Sequence, residues 1–240
     1  MATIALRPLS ARSVVLSLLL GAHPAELAAS ALVRAGELFD VPETTLRATL
    51  SRMVAAGDLV RGGSTYGLSE RLLERQRRQD DALLADTTDW DGTWEMVVVT
   101  SSGRSAQDRA ELRTALSSLR LAELREGVWL RPANLARALP VWPPGLISTL
   151  RATPDDDPVA LVRRLWDVDG WALRGRDLLD GLANAATARD LLTVSAAVVR
   201  HLLVDPALPA ELLPGDWPSE PLRTAYARYR ADLLEETLRT

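Results

Sequence analysis

Between Pro42 and Gly57 the chain has room for one helix and little else. Pro42 suits a first helical position, where its missing N–H costs nothing and its fixed φ matches the helix. Asp40 stands upstream as a cap, and Glu43 places negative charge at the positive end of the dipole. Leu46, Leu50, Met53 and Val54 follow at i, i+4, i+7 and i+8 and form one apolar stripe. Gly57 is a natural stop. Beyond it, Leu59-Val60-Arg61 and Thr65-Tyr66-Gly67-Leu68 flank Gly62-Gly63-Ser64, the pattern of a two-stranded hairpin.

The other side of that helix carries Thr44, Thr45, Arg47, Ala48, Ser51 and Arg52. Short donors, a small apolar residue and two guanidinium forks are the side chains that read base edges and grip phosphates in a major groove. Arg61 adds a cation on the hairpin. The same residues also suit a plain solvated helix face beside a surface hairpin, and the spacing alone leaves both readings open. The charge distribution leans toward nucleic acid. The chain is −4 overall, yet residues 1–79 hold 10 Arg against 7 acidic residues, net +3, leaving 18 Arg and 25 acidic residues, net −7, for residues 80–240.

A first helix capped by Ser10 runs to Leu20, and Gly21-Ala22-His23-Pro24 breaks it. A second begins near Glu26 or Ser30 and ends at Phe39. Three helices and a hairpin in about seventy residues match the size of a winged helix-turn-helix. Ser69 to Ala85 reads as a charged helix that either connects two domains or touches DNA backbone. Trp94 to Thr100 is a buried strand, Ser105 caps a helix through Leu119, and strands follow at Leu121–Leu124 and Gly127–Arg131. A short helix over Pro132–Leu139 and a strand over Leu146–Ala152 complete βαββαβ, the ferredoxin-like order. From Pro154 the chain turns helical, with helices near Val159–Trp166, Asp169–Leu182, Thr187–Val204 and Ser219–Arg239. Asp155-Asp156-Asp157 ahead of Pro158 reads as a loop that complements a helix dipole rather than a metal cluster. Prolines 206, 209, 214 and 218 stiffen the last connection.

The expected fold class is α+β and mostly helical. Residues 1–68 form a winged helix-turn-helix, 69–89 a connecting helix, 90–153 a ferredoxin-like dimerisation domain and 154–240 a helical C-terminal domain.

Several pieces, in order, resemble the PaaX family of transcriptional repressors. They are Leu46-Arg47-x-x-Leu50-Ser51-Arg52-Met53 with Gly57-x-Leu59-Val60, Trp90-Asp91-Gly92-x-Trp94, and Gly127-Val128-Trp129-Leu130-x-Pro132. The proline-rich Asp205-Pro206-x-Leu208-Pro209-x-Glu211-Leu212-Leu213-Pro214-x-x-Trp217-Pro218 is the most specific. The resemblance implies a homodimer on double-stranded operator DNA, released by a small-molecule inducer, typically an aryl-CoA thioester.

An enzyme reading finds little material. There is no Cys and only His23 and His201, so thiol catalysis, thiolate metal sites and disulfides are excluded. The strand over Met96–Thr100 carries no carboxylate for a metal-dependent nuclease, which stays a third possibility after a winged-helix protein-interaction module. No catalytic residue, metal or cofactor is expected. An inducer lodged between the central and C-terminal domains would meet Trp166, Trp171, Trp217, Tyr226 or Tyr229, with Arg223 for its acidic end. Each aromatic taken singly also suits a hydrophobic core. The apolar run Val14–Leu20 is too short to span a bilayer and no signal peptide is evident, so a cytoplasmic protein without a membrane partner is expected.

Overall fold

In the computed structural model, which describes residues 10–84 and 86–238, the chain divides into two units that do not follow chain order. The first comprises Met1–Leu84, Leu173–Leu203 and Pro218–Thr240, the second Ala85–Ala172 and Val204–Trp217. The fold is mixed α and β, with two small antiparallel sheets.

The first unit opens with α1 (Ala11–Gly21), β1 (Glu26–Ala28), α2 (Ala29–Leu38) and α3 (Glu43–Ala55). Strands β2 (Leu59–Gly62) and β3 (Thr65–Leu68) and helix α4 (Glu70–Leu84) follow. Ser10 caps α1, its hydroxyl accepting from the Ser13 N–H at 3.2 Å. The first sheet has the order β1-β3-β2. Strand β1 takes residues that helical periodicity assigned to α2, because Glu26–Ala28 finds a ladder partner in β3. Helices α8 (Ala188–Leu202) and α9 (Ser219–Leu238) also belong here. Leu19, Leu32, Ala35 and Leu46 are fully buried in one core with Phe39, Leu50, Met53 and Leu192. Each buried leucine contributes roughly 1.5–3 kcal/mol.

Asp40 does not cap α3; it closes α2. It lies in the left-handed region at φ 56°, its N–H reaching Glu37 O at 3.1 Å while Val41 N–H reaches Gly36 O at 2.9 Å. That pair of bonds is a Schellman closure, and Asp tolerates the left-handed region better than most residues. Pro42 is consequently the N-cap residue of α3 rather than its first helical residue.

The second unit holds β4 (Trp94–Val99), α5 (Ala106–Ser118), β5 (Ala122–Arg125), β6 (Val128–Pro132), β7 (Ile147–Ala152), α6 (Pro158–Leu165) and the first turn of α7 (Val168–Ala183). Ser105 and Asp108 form a reciprocal capping box on α5. Its sheet order is β5-β6-β4-β7, antiparallel throughout. Strand alternation sends Val97 and Trp129 to one face, against Leu112 and Leu116 of α5. Trp94 and Leu130 go to the other, against Leu161 and Val162 of α6 and Leu208 and Leu212.

The helix expected over Pro132–Leu139 is absent. Its backbone is held by tertiary partners instead: Ala133 N–H donates to Thr93 O at 3.0 Å, Thr88 N–H to Asn134 O at 2.8 Å and Ala136 N–H to Asp86 O at 3.2 Å. Those bonds outcompete a marginal local helix flanked by prolines. Arg131 is fully buried in the same region. It donates to Pro132 O, Arg120 O, Pro206 O and Ala207 O and to Asn134 Oδ1, at distances from 2.8 to 3.3 Å. Burial, helped by the nearby Arg137, pushes its pKa down to about 9, which still leaves it charged at neutral pH.

Asp157 caps α6 by accepting from Ala160 N–H at 3.0 Å, and Asp156 pairs with Arg164 at 3.2 Å. Among the described residues no helix is long and apolar enough to cross a membrane.

Candidate nucleic-acid interface

Helix α3 sorts its residues cleanly. Leu46, Leu50 and Met53 are buried, as is Thr49, whose hydroxyl donates to Thr45 O at 2.8 Å. Thr44, Thr45, Arg47, Ala48, Ser51 and Arg52 are all exposed and share the opposite side. Glu43, at the start of the helix, accepts from Arg47 Nε at 2.6 Å. Arg52 donates to Thr49 Oγ1 at 3.2 Å, which lays its guanidinium along the helix.

The C-terminus of α3 is fixed. Gly57 adopts φ 70°, its N–H meets Val54 O at 3.0 Å, and Asp58 N–H meets Met53 O at 2.9 Å, a second Schellman closure. The chain therefore turns sharply from α3 into β2. The hairpin pairs Gly62 with Thr65, leaving Gly63-Ser64 as a two-residue loop, with Gly63 at a positive φ of 61°. Arg61 is exposed on β2 and lies 5.9 Å from the ring centroid of its cross-strand partner Tyr66, within cation–π range. Its Nε also donates to Gly63 O at 3.3 Å.

Sequence reasoning missed the group that anchors this assembly. Asp58, 4% exposed, accepts from Arg12 on α1 at 2.7 Å and from Arg71 on α4 at 2.5 Å. The hydrogen bond from Arg12 holds its carboxyl below the ordinary carboxylate range, with Arg71 adding to the effect against the opposing pull of burial. An aspartate after a helix-ending glycine looks like a turn residue, and nothing local signals two distant arginines. Glu26 on β1 was missed as well; it accepts from the Thr65 hydroxyl beside the hairpin.

The residues proposed to meet an inducer are distributed between the units. Trp166, Trp171 and Trp217 belong to the second, whereas Arg223, Tyr226 and Tyr229 belong to the first. Trp171 is buried and stacks on Trp217 at 4.3 Å with 14° between planes, and Trp166 packs against the same core. Arg223 donates to Ser219 Oγ at 2.7 Å. Tyr226 accepts from Gln79 Nε2 at 3.2 Å, and burial raises its pKa.

Three family models match the chain. The description "PaaX-like protein" covers residues 10–72, "PaaX protein central Cas2-like domain" residues 87–140, and "PaaX-like protein C-terminal domain" residues 177–239. Among solved structures, the uncharacterized protein Rv0674 from Mycobacterium tuberculosis is similar, with 49% identity, a TM-score of 0.85 and coverage of 95% of this chain and 97% of that one. Among curated proteins none matches.

Proposed function

Because this chain belongs to the PaaX-like protein family, we propose that it is a transcriptional regulator that binds operator DNA as a homodimeric repressor and leaves it when a small-molecule inducer such as an aryl-CoA thioester binds. The observation that carries the DNA reading is the exposed, carboxylate-poor side of α3, with Thr44, Thr45, Arg47, Ala48, Ser51 and Arg52 together. The order α1-β1-α2-α3-β2-β3, with β1 closing the sheet against β3, supports a winged helix-turn-helix over residues 1–68. In that reading α3 enters the major groove and the Arg61 hairpin lies beside it as the wing.

Residues 69–89, which include α4, connect, the sheet unit over 90–153 makes the dimer contact, and residues 154–240 serve regulation. In a dimer the two α3 helices sit about one DNA turn apart, roughly 34–36 Å, or a multiple of it. An inducer that changes this spacing weakens both half-sites together. Fluorescence anisotropy with duplex DNA from upstream of the protein's own gene tests the proposal. Tight, saturable binding relative to an unrelated duplex is expected. Equal affinity for both, or none, favours a winged-helix protein-interaction module. Cleavage of the duplex with Mg²⁺ or Mn²⁺ would instead mark a nuclease.

A further inference from the structure

Helices α1, α4, α8 and α9 of the first unit line a partly open cavity of about 220 Å³. Its apolar lining is chiefly leucine, with Leu16, Leu20, Leu192, Leu233 and Leu234 beside Val199. Four arginines also line it, Arg12, Arg75, Arg200 and Arg230, and no aspartate or glutamate does. In a chain that carries more acidic than basic residues, a cavity lined by cations without a carboxylate is a selective arrangement. Arg12 and Arg230 have carboxylate neighbours outside the cavity lining, Asp58 at 2.7 Å and Asp80 at 3.8 Å. Arg75 and Arg200 are exposed. Neither has a carboxylate partner among the described residues.

We propose that this cavity is a binding site for a small amphiphilic carboxylate, its apolar body against the leucines and its anionic end toward Arg75 and Arg200. Size limits the body. An apolar cavity of about 150 Å³ takes a benzene ring, so this one takes a substituted single ring or a short acyl chain. Water-exposed guanidinium groups at the rim receive a carboxylate with little desolvation cost, while the apolar part supplies the burial.

The site offers a route to α3, a consequence that rests on the regulator reading above. Arg12 lines the cavity and also holds Asp58, the residue that follows the α3 closure. A ligand whose apolar body packs beside Arg12 displaces the guanidinium that holds Asp58 and loosens the anchor of the DNA-facing helix.

Isothermal titration of the full chain with 4-ethylbenzoate and with octanoate tests the site, using their methyl esters and phenyl phosphate as comparison probes. Saturable binding of the carboxylates is expected, with each ester about tenfold weaker, the factor for one lost charge-assisted hydrogen bond. The Arg75→Ala, Arg200→Ala double variant should lose about tenfold or more. Ala196→Trp, which fills the cavity from α8, should abolish binding while thermal unfolding remains cooperative. If a variant fails to unfold cooperatively, the ester comparison on the unaltered chain decides alone. No saturable binding of either acid, esters equal to acids, or preference for phenyl phosphate would overturn the proposal. Anisotropy on the upstream duplex separates the two ideas. Carboxylate binding without specific DNA binding leaves the site standing and removes the regulator; the reverse result removes the site only.

Discussion

Asp58 Oδ2 accepts from Arg12 Nη2 at 2.7 Å across 46 residues of sequence, and the same carboxylate takes Arg71 at 2.5 Å. One buried carboxylate thus ties α1 and α4 to the chain directly after α3. Its side chain is 6% exposed, while those of Arg12 and Arg71 are 54% and 69% exposed. The arginines reach in from solvent, so the cost of burial falls mainly on the aspartate. The anchor fixes the chain at the point where it leaves the C-terminus of α3.

Removing the carboxylate charge tests the anchor. Asp58→Asn should lower stability by about 2 kcal/mol in urea titration, the worth of hydrogen bonds to a charged group. The pH response follows from the depressed pKa. In the folded state Asp58 binds its proton less readily than in the unfolded chain, so its contribution is complete above the unfolded value. It is lost as pH falls below about 4 and through the lower folded value. The variant should lose less stability than the parent over that acid range. An equal loss in both would place the acid sensitivity elsewhere.

On α3, Arg47→Ala and Arg52→Ala should each weaken operator binding about tenfold with little change in melting temperature, because both side chains are exposed. Glu43→Gln should act in the opposite direction. It removes the acid that holds Arg47 at 2.6 Å, a surface pair worth only about 0.5 kcal/mol to the fold, and frees the guanidinium for phosphate. Anisotropy titrations at fixed salt measure all three, and unchanged affinity in the two arginine variants would remove α3 as the reading helix.

Salt dependence reports the phosphate contacts directly. The logarithm of the operator association constant should fall linearly with the logarithm of salt concentration, by about 0.9 per phosphate neutralised. Arg61→Ala should reduce that slope by about one while leaving sequence preference intact. A slope unchanged by this substitution would mean that the hairpin makes no backbone contact.

Arg131 gives a prediction independent of DNA. Its guanidinium meets four carbonyl oxygens and Asn134 Oδ1. Arg131→Met leaves several buried acceptors without donors and should cost about 3 kcal/mol. Arg131→Lys should cost nearly as much, because one ammonium cannot serve a planar array of acceptors. Urea unfolding read through tryptophan fluorescence follows this, since Trp94, Trp129, Trp171 and Trp217 all belong to the second unit.

Where a signal is local, it was legible. The Leu46, Leu50 and Met53 stripe, the Gly57 stop, the hairpin around Gly63 and the Ser105 cap each depend on neighbours within a few residues, and each element forms where its pattern lies. The exposed set on α3 followed from the same periodicity. Asp40 was misplaced by one motif, because an aspartate between two helices serves equally as the cap of the second or the left-handed closure of the first. Pro132–Leu139 was misread because alanine, leucine and arginine favour a helix until Thr93, Thr88 and Asp86 offer better partners. The proposed inducer residues were grouped by chemistry, and the two units then divided them.

The sequence by itself determined α1, α3, the β2–β3 hairpin and α5, and the side of α3 left to solvent, since periodicity, caps and turn glycines act through bonds only a few residues long. Only the tertiary structure decided that β1 joins β3, that α8 and α9 fall in the unit containing α3, and that Arg12 and Arg71 converge on Asp58. Those outcomes turn on which distant surfaces bury one another most completely, and no short stretch of chain contains that comparison.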